Sequence, residues 1–161
     1  MKTPLIALAG ALLMTAVPAI SQDIIVSAEE AAAVERISRE LDRNLVAADW
    51  SRNRSAGEGI AMVRFQRGAD GRPVNVKIYR RSGSGSVDRL ARRAVNRLGL
   101  SVPLPAIGGD GQLFQANIIV ASSDAEFANL STTLGKLEKA RLADPRERAV
   151  FAFSASPREA G

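Results

Sequence analysis

Cysteine and histidine are both absent from the 161 residues. Without cysteine the chain can form no disulfide and offers no thiolate nucleophile. Without histidine it has no imidazole for acid–base work, and the usual ligands of zinc and copper are gone with the pair. Lysine is scarce as well: after Lys2 only Lys77, Lys136 and Lys139 occur, none in a recognisable motif. No nucleophile–base pair or metal cluster is visible, so the expectation is a chain that is not an enzyme and carries no cofactor or metal. A long hydrophobic run is also missing. The longest, residues 5–17, is about 13 residues, against the roughly 20 that a membrane-spanning helix needs. Lys2 precedes it, and the small residues Val17 with Ala19, or Ala19 with Ser21, stand at cleavage spacing. Residues 1–21 are therefore expected to be a signal peptide and the rest an exported chain. The alternative is an inner-membrane anchor over residues 4–20. An exported chain without cysteine depends on its core and its backbone pairing alone.

Charge is unevenly distributed. Residues 23–36 carry one arginine against four acids, residues 37–122 fourteen Lys and Arg against seven acids, and residues 123–161 six of each. The excess of the net +5 thus belongs to the middle of the chain. A basic patch attracts polyanions, and outside the cytoplasm these are anionic lipid, glycan or acidic protein segments rather than nucleic acid. The alternative is a solvated basic surface that aids solubility.

Along the chain, Ser27 and Glu30 have capping-box spacing, and Val34, Ile37, Leu41, Leu45 and Ala48 recur at helical spacing behind them. After the polar break at residues 51–59, Ala61, Val63 and Phe65 alternate with Met62, Arg64 and Gln66, as in a strand with one buried face. Asp70-Gly71 then provides a tight turn into a second alternating run through Val74, Val76 and Ile78, which predicts an antiparallel hairpin.

The segment "RRSGSGSVDRLARRAV", residues 80–95, sets a Gly/Ser loop before a helix rich in arginine. Val87, Leu90, Ala91, Ala94, Val95 and Leu98 form one apolar face; Arg89, Arg92, Arg93 and Arg97 occupy the other. Ser86 is the expected N-cap, and Asp88 lies near the positive end of the helix dipole. A phosphate loop would follow its glycines with Lys-Ser/Thr, or complete G-x-G-x-x-G between parallel strands. Gly83-Ser84-Gly85 does neither, so the loop is expected to be punctuation.

Gly99 ends this helix, and a proline-held crossover leads to a third strand in which Phe114, Ala116, Ile118 and Val120 share a face. The fold class that follows is α+β: a two-layer sandwich, helices packed on a three-stranded antiparallel sheet. Residues 22–122 would form this domain. Residues 123–161 would add an extra C-terminal helix, with Ser123 and Glu126 at capping-box spacing and Phe127, Leu130, Leu134 and Leu137 on one side. Asp144-Pro145 breaks that helix, "AVFAF" at 149–153 is a short strand or a loosely held segment, and the end is frayed.

Residues 58–95 resemble the C-terminal domain of the TonB family in a Glu-Gly before a V-x-F strand, the D-G-R turn, the V-x-V-x-I strand, the Ser-Gly loop and the helix carrying Asp and "ARRAV". The likeness extends more loosely to Ala121. The family's Tyr-Pro pair ahead of the first strand is missing, Leu100-Ser101-Val102-Pro103 replaces its aromatic-x-Pro, and there is neither an anchor histidine nor a Pro-rich spacer. Trp50, in "DWS", is expected to pack at a helix end.

The resemblance implies a periplasmic, non-catalytic binding module. Such domains take the TonB box of an outer-membrane transporter as an added strand at a sheet edge, with affinity from main-chain hydrogen bonds. Carried over, the edge would be the strand at 113–121, with Gln115, Asn117 and Ile119 on its less buried face. The alternative is a basic envelope-associated protein that meets anionic lipid or glycan through Arg80, Arg81, Arg89, Arg92, Arg93 and Arg97. A short membrane-anchored transducer component for outer-membrane transport is the third possibility. Should the C-terminal extension cover the family's binding edge, the domain would be self-blocked.

Overall fold

The computed structural model describes residues 28–49, 57–109 and 111–156; the expected signal peptide, Ser27 and Trp50 lie outside them. Among the described residues no helix is long and apolar enough to cross a membrane. The chain runs α1 (Ala28–Asp49), β1 (Gly59–Arg67), β2 (Pro73–Arg80), α2 (Gly85–Asn96), β3 (Leu113–Val120), α3 (Asp124–Ala143) and β4 (Phe151–Ala155). The strands form one sheet in the order β2-β1-β3-β4. β1 is antiparallel to both β2 and β3, whereas β4 runs parallel to β3.

The α+β class expected from the sequence holds, with two corrections. The sheet has four strands and is mixed, not three-stranded and antiparallel, because most of the "AVFAF" segment becomes β4. Parallel neighbours cannot be joined by a tight turn, so α3 serves as the crossover between β3 and β4 and lies against the sheet. Helices therefore cover both faces, and the domain has more than two layers.

On the first face, α1 buries Ile37, Leu41, Leu45 and Ala48, and α2 buries Val87, Leu90, Ala91, Ala94 and Val95, all against Ala61, Val63 and Phe65 of β1 and Phe114, Ala116 and Ile118 of β3. Phe65 stacks on Phe114 with ring centroids 5.4 Å apart and meets Phe153 edge-on at 6.2 Å; Phe114 meets Phe151 at 5.6 Å. Phe65, Phe114 and Phe151 also occupy matched register positions, so the rings tie three neighbouring strands together. Each such pair adds about 0.5–1.5 kcal/mol beyond simple burial.

The second face carries Ile60, Met62 and Ile119, covered by Leu134 of α3 with Phe127, Leu130 and Leu137 beside it. β1 is thus buried on both sides, where the alternation predicted one buried face. Ser123 caps α3 as expected, its hydroxyl accepting from the Glu126 N–H at 3.2 Å.

The crossover after α2 is anchored to the hairpin. The Leu104 N–H donates to the Gly71 carbonyl at 2.8 Å, and Arg67 Nε donates to the Leu104 carbonyl at 2.7 Å. Gly71 and Gly99 both have φ of +76°. A Cβ on Gly99 would fall 2.5 Å from the Gly71 carbonyl oxygen, so this contact admits only glycine.

Gly99→Ala should lower the unfolding free energy by about 2 kcal/mol or more, combining the left-handed penalty with displacement of the hairpin turn. Gly109→Ala, at φ +82° with open space around it, should cost only the backbone part, roughly 1 kcal/mol. Urea denaturation of the two variants checks this. Equal losses would rule out the steric contribution of the Gly71 contact.

Candidate functional site

Strand addition needs a ladder of backbone groups without partners. The sequence placed that ladder on β3, and the structure corrects the placement. β3 pairs with β1 from Leu113 to Val120 on one side and with β4 from Phe114 to Ile118 on the other. Gln115, Asn117 and Ile119 are not a solvent-facing row: their exposures are 0%, 1% and 5%. The cause is α3, which lies on their face of the sheet. A strand with both faces covered must satisfy its inward polar side chains from within.

A polar network does so. Gln115 Nε2 donates to Asn117 Oδ1 at 2.9 Å and to Glu138 Oε1 of α3 at 3.1 Å. Its Oε1 accepts from Arg64 Nε of β1 at 2.9 Å. The Arg64 guanidinium continues to the Glu147 carboxylate in the α3–β4 turn, paired through both outer nitrogens. It also stacks on Tyr79 of β2, 3.3 Å from the ring centroid. Arg141 of α3 pairs with Glu138 at 2.9 Å and donates to the carbonyls of Glu147 and Val150. Gln112 Nε2 holds the Ala149 carbonyl at 2.7 Å.

The alternation had put Arg64 on the outer face of its strand, and nothing singled it out as a hub. It joins β1, β2 and β3 to the segment that delivers β4. The one usable sign in the sequence was the row of Arg64, Gln115 and Asn117, polar residues on the second face of otherwise apolar strands.

The two ion pairs are largely shielded: side-chain exposure is 13% and 24% for Arg64 and Glu147, and 10% and 22% for Arg141 and Glu138. Such pairs gain little over an apolar substitute, but removing one partner strands the other charge.

The arginines behave differently. Arg80, Arg81, Arg89, Arg92, Arg93 and Arg97 are all exposed, on β2, the loop after it and the outer side of α2 and its C-terminal turn. Among the described residues, none of the six guanidinium groups takes part in a hydrogen bond or ion pair.

Between these arginines lies the Gly/Ser loop. Ser84, not Ser86, caps α2, its hydroxyl accepting from the Val87 N–H at 3.5 Å. Ser86 is drawn away, its Oγ accepting from the Gly57 N–H at 3.2 Å. Asp88 accepts from the N–H and the hydroxyl of Ser82, both at 2.8 Å. A carboxylate of the chain itself thus binds the loop donor that an anion would need, consistent with a structural loop.

Glu147→Ala should cost about 1–3 kcal/mol by leaving Arg64 unpaired. Amide hydrogen exchange should accelerate selectively in β4, with β1 and β2 little changed. Uniform acceleration over the sheet would show that the clip does not act on β4 in particular.

Comparison with protein-family models finds the TonB C terminal family, matched over residues 34–123. No curated protein and no solved structure matches the chain. The matched segment takes in most of α1, the hairpin, α2 and all of β3, and it stops at the Ser123 cap, so all of α3 and β4 lie beyond it. With more than half of its length covered by that match, the chain belongs to the TonB C-terminal family.

Proposed function

We propose that the chain is a non-catalytic module of the cell envelope that receives an extended segment of a protein partner as an added strand, in the seat on β3 that β4 holds. Family membership supports a protein-binding role in the envelope. The observation that carries the finer reading is the parallel β3–β4 ladder: β3 is the last strand of the matched family segment, and its outer side is filled by five residues from beyond that segment.

The other side of the sheet is a poorer template. β2 pairs with β1 through two register shifts, begins at Pro73, which has no N–H, and holds Asn75 at a φ of 56°.

Leaving the seat exposes Phe153 and Ala155, buried in the main core, at a cost of about 2–4 kcal/mol. A partner strand recovers that cost only by placing apolar side chains at the same alternate positions. Its apparent affinity is lowered by the small fraction of molecules in which β4 is released. An outer-membrane transporter's TonB box is the occupant that the family points to.

Fluorescence anisotropy with a labelled peptide of the β4 sequence, residues 150–156, tests the exchange. Glu147→Ala should raise peptide affinity about tenfold with little dependence on salt. An affinity indifferent to Glu147 would move docking away from the β4 seat on β3.

The six exposed arginines favour a second, compatible role at an anionic lipid or glycan surface. Exposed charges are screened beyond roughly 8 Å at physiological ionic strength, so retention on anionic vesicles should collapse as salt rises. The double variant Arg92→Ser/Arg93→Ser should weaken vesicle retention and leave peptide capture intact. Loss of peptide capture with an intact fold would contradict the edge-strand reading.

A further inference from the structure

Away from the sheet edge, a pocket of about 340 Å³ opens between α1 and the proline-held crossover. One wall is Ala33, Ile37, Glu40 and three arginines of α1, Arg36, Arg39 and Arg43; the other is Val102, Pro103 and Pro105. The volume lies at the lower end of the range for small-molecule sites. The far wall is fixed, since the two hydrogen bonds of Leu104 pin the crossover to the hairpin between its two prolines.

Glu40 is the unusual member. It is 6% exposed, and its Oε1 has no hydrogen-bond partner among the described residues. A buried carboxylate without a partner is costly, and a position on the core side of an amphipathic helix would be better filled by an apolar residue. None of the arginines around it pairs with it among the described residues. Arg36 Nε is turned to the Ala32 carbonyl at 3.3 Å, and Arg39 pairs with Glu35 at 3.4 Å. Arg43 makes no hydrogen bond or ion pair among the described residues. The pocket thus holds a buried negative group, positive groups at its rim and an apolar wall from Ile37, Val102 and Pro103.

We propose that this pocket binds a zwitterionic amino acid with an apolar side chain. The ammonium group meets the Glu40 carboxylate, the ligand's carboxylate meets Arg36 and Arg43, and the side chain lies against Ile37, Val102 and Pro103. A charged nitrogen compensates a buried carboxylate better than a neutral amide does, which favours a free amino acid over the C-terminal residue of a peptide. The site is independent of the β4 seat on β3 and of the partner strand.

Titration of the isotope-labelled chain with leucine, followed by NMR shifts of residues 33–43 and 102–105, tests the proposal, with the other standard amino acids as a panel. Leucine, or an apolar relative, should saturate these shifts, whereas 4-methylpentanoate, which lacks the ammonium, and isopentylamine, which lacks the carboxylate, should not. N-acetyl-leucine separates the sources: binding as tight as leucine would assign the pocket to peptide C-termini and overturn the free amino acid. Glu40→Gln should weaken binding at least tenfold while the melting temperature holds or rises, because the variant removes a buried carboxylate that has no hydrogen-bonded partner among the described residues. A Glu40→Gln variant that melts several degrees lower, or that binds leucine unchanged, overturns the role of Glu40. No saturation by any of the panel at about 10 mM overturns the site itself.

Discussion

Once β3 is hydrogen-bonded to β1 along one side and to β4 along the other, its side chains have no route to solvent except through the two faces of the sheet. The same holds for the middle of β1. Every apolar residue there requires a cover, and every polar one requires a partner. α1 and α2 supply the first cover, and α3, forced across the sheet by the parallel connection, supplies the second. The polar residues left under α3 fix the rest: Gln115 and Asn117 need donors and acceptors, and Arg64, Glu138, Arg141 and Glu147 are the groups that provide or balance them.

α3 is held by few apolar contacts. Leu134 is its one buried side chain, with Phe127, Leu130 and Leu137 only partly covered. Its attachment therefore depends on the charged clip at its C-terminal end more than on a continuous greasy seam. β4 has the opposite character, with Phe153 and Ala155 inside the main core. The extension thus joins a strand that belongs to the core to a helix that rests on the sheet, and the Arg64–Glu147 pair stands where the two meet.

Much of this was legible in the residues. The apolar stripes of α1 and α2, the Asp70-Gly71 hairpin, the face shared by Phe114, Ala116 and Ile118, and the Ser123 cap follow from local periodicity and turn chemistry, and they stand as read. Pairing partners were harder. Five residues of "AVFAF" type carry no signal for which strand they join, because the choice is made by contacts more than thirty residues away. Period-two alternation says which residues share a face but not what lies over it, so Gln115 and Asn117 looked like a solvated row until α3 was in place. The choice of Ser84 over Ser86 as the cap was likewise non-local, settled by the Gly57 amide. The Glu40 pocket had no local sign, since it needs α1 and the crossover together.

The parallel placement of β4 also orders the assembly of the fold in time. The β1–β2 hairpin and α2 close over short loops, but Phe151 can settle beside Phe114 only after α3 has crossed the sheet. Pairing over such a span is slow relative to local structure. A chain that emerges from its N-terminus forward therefore passes through a stage in which β3 is formed and its outer backbone groups are bare. During that interval the seat is open to a neighbouring extended segment, and the speed of chain delivery, as much as the final stability, decides which strand takes it.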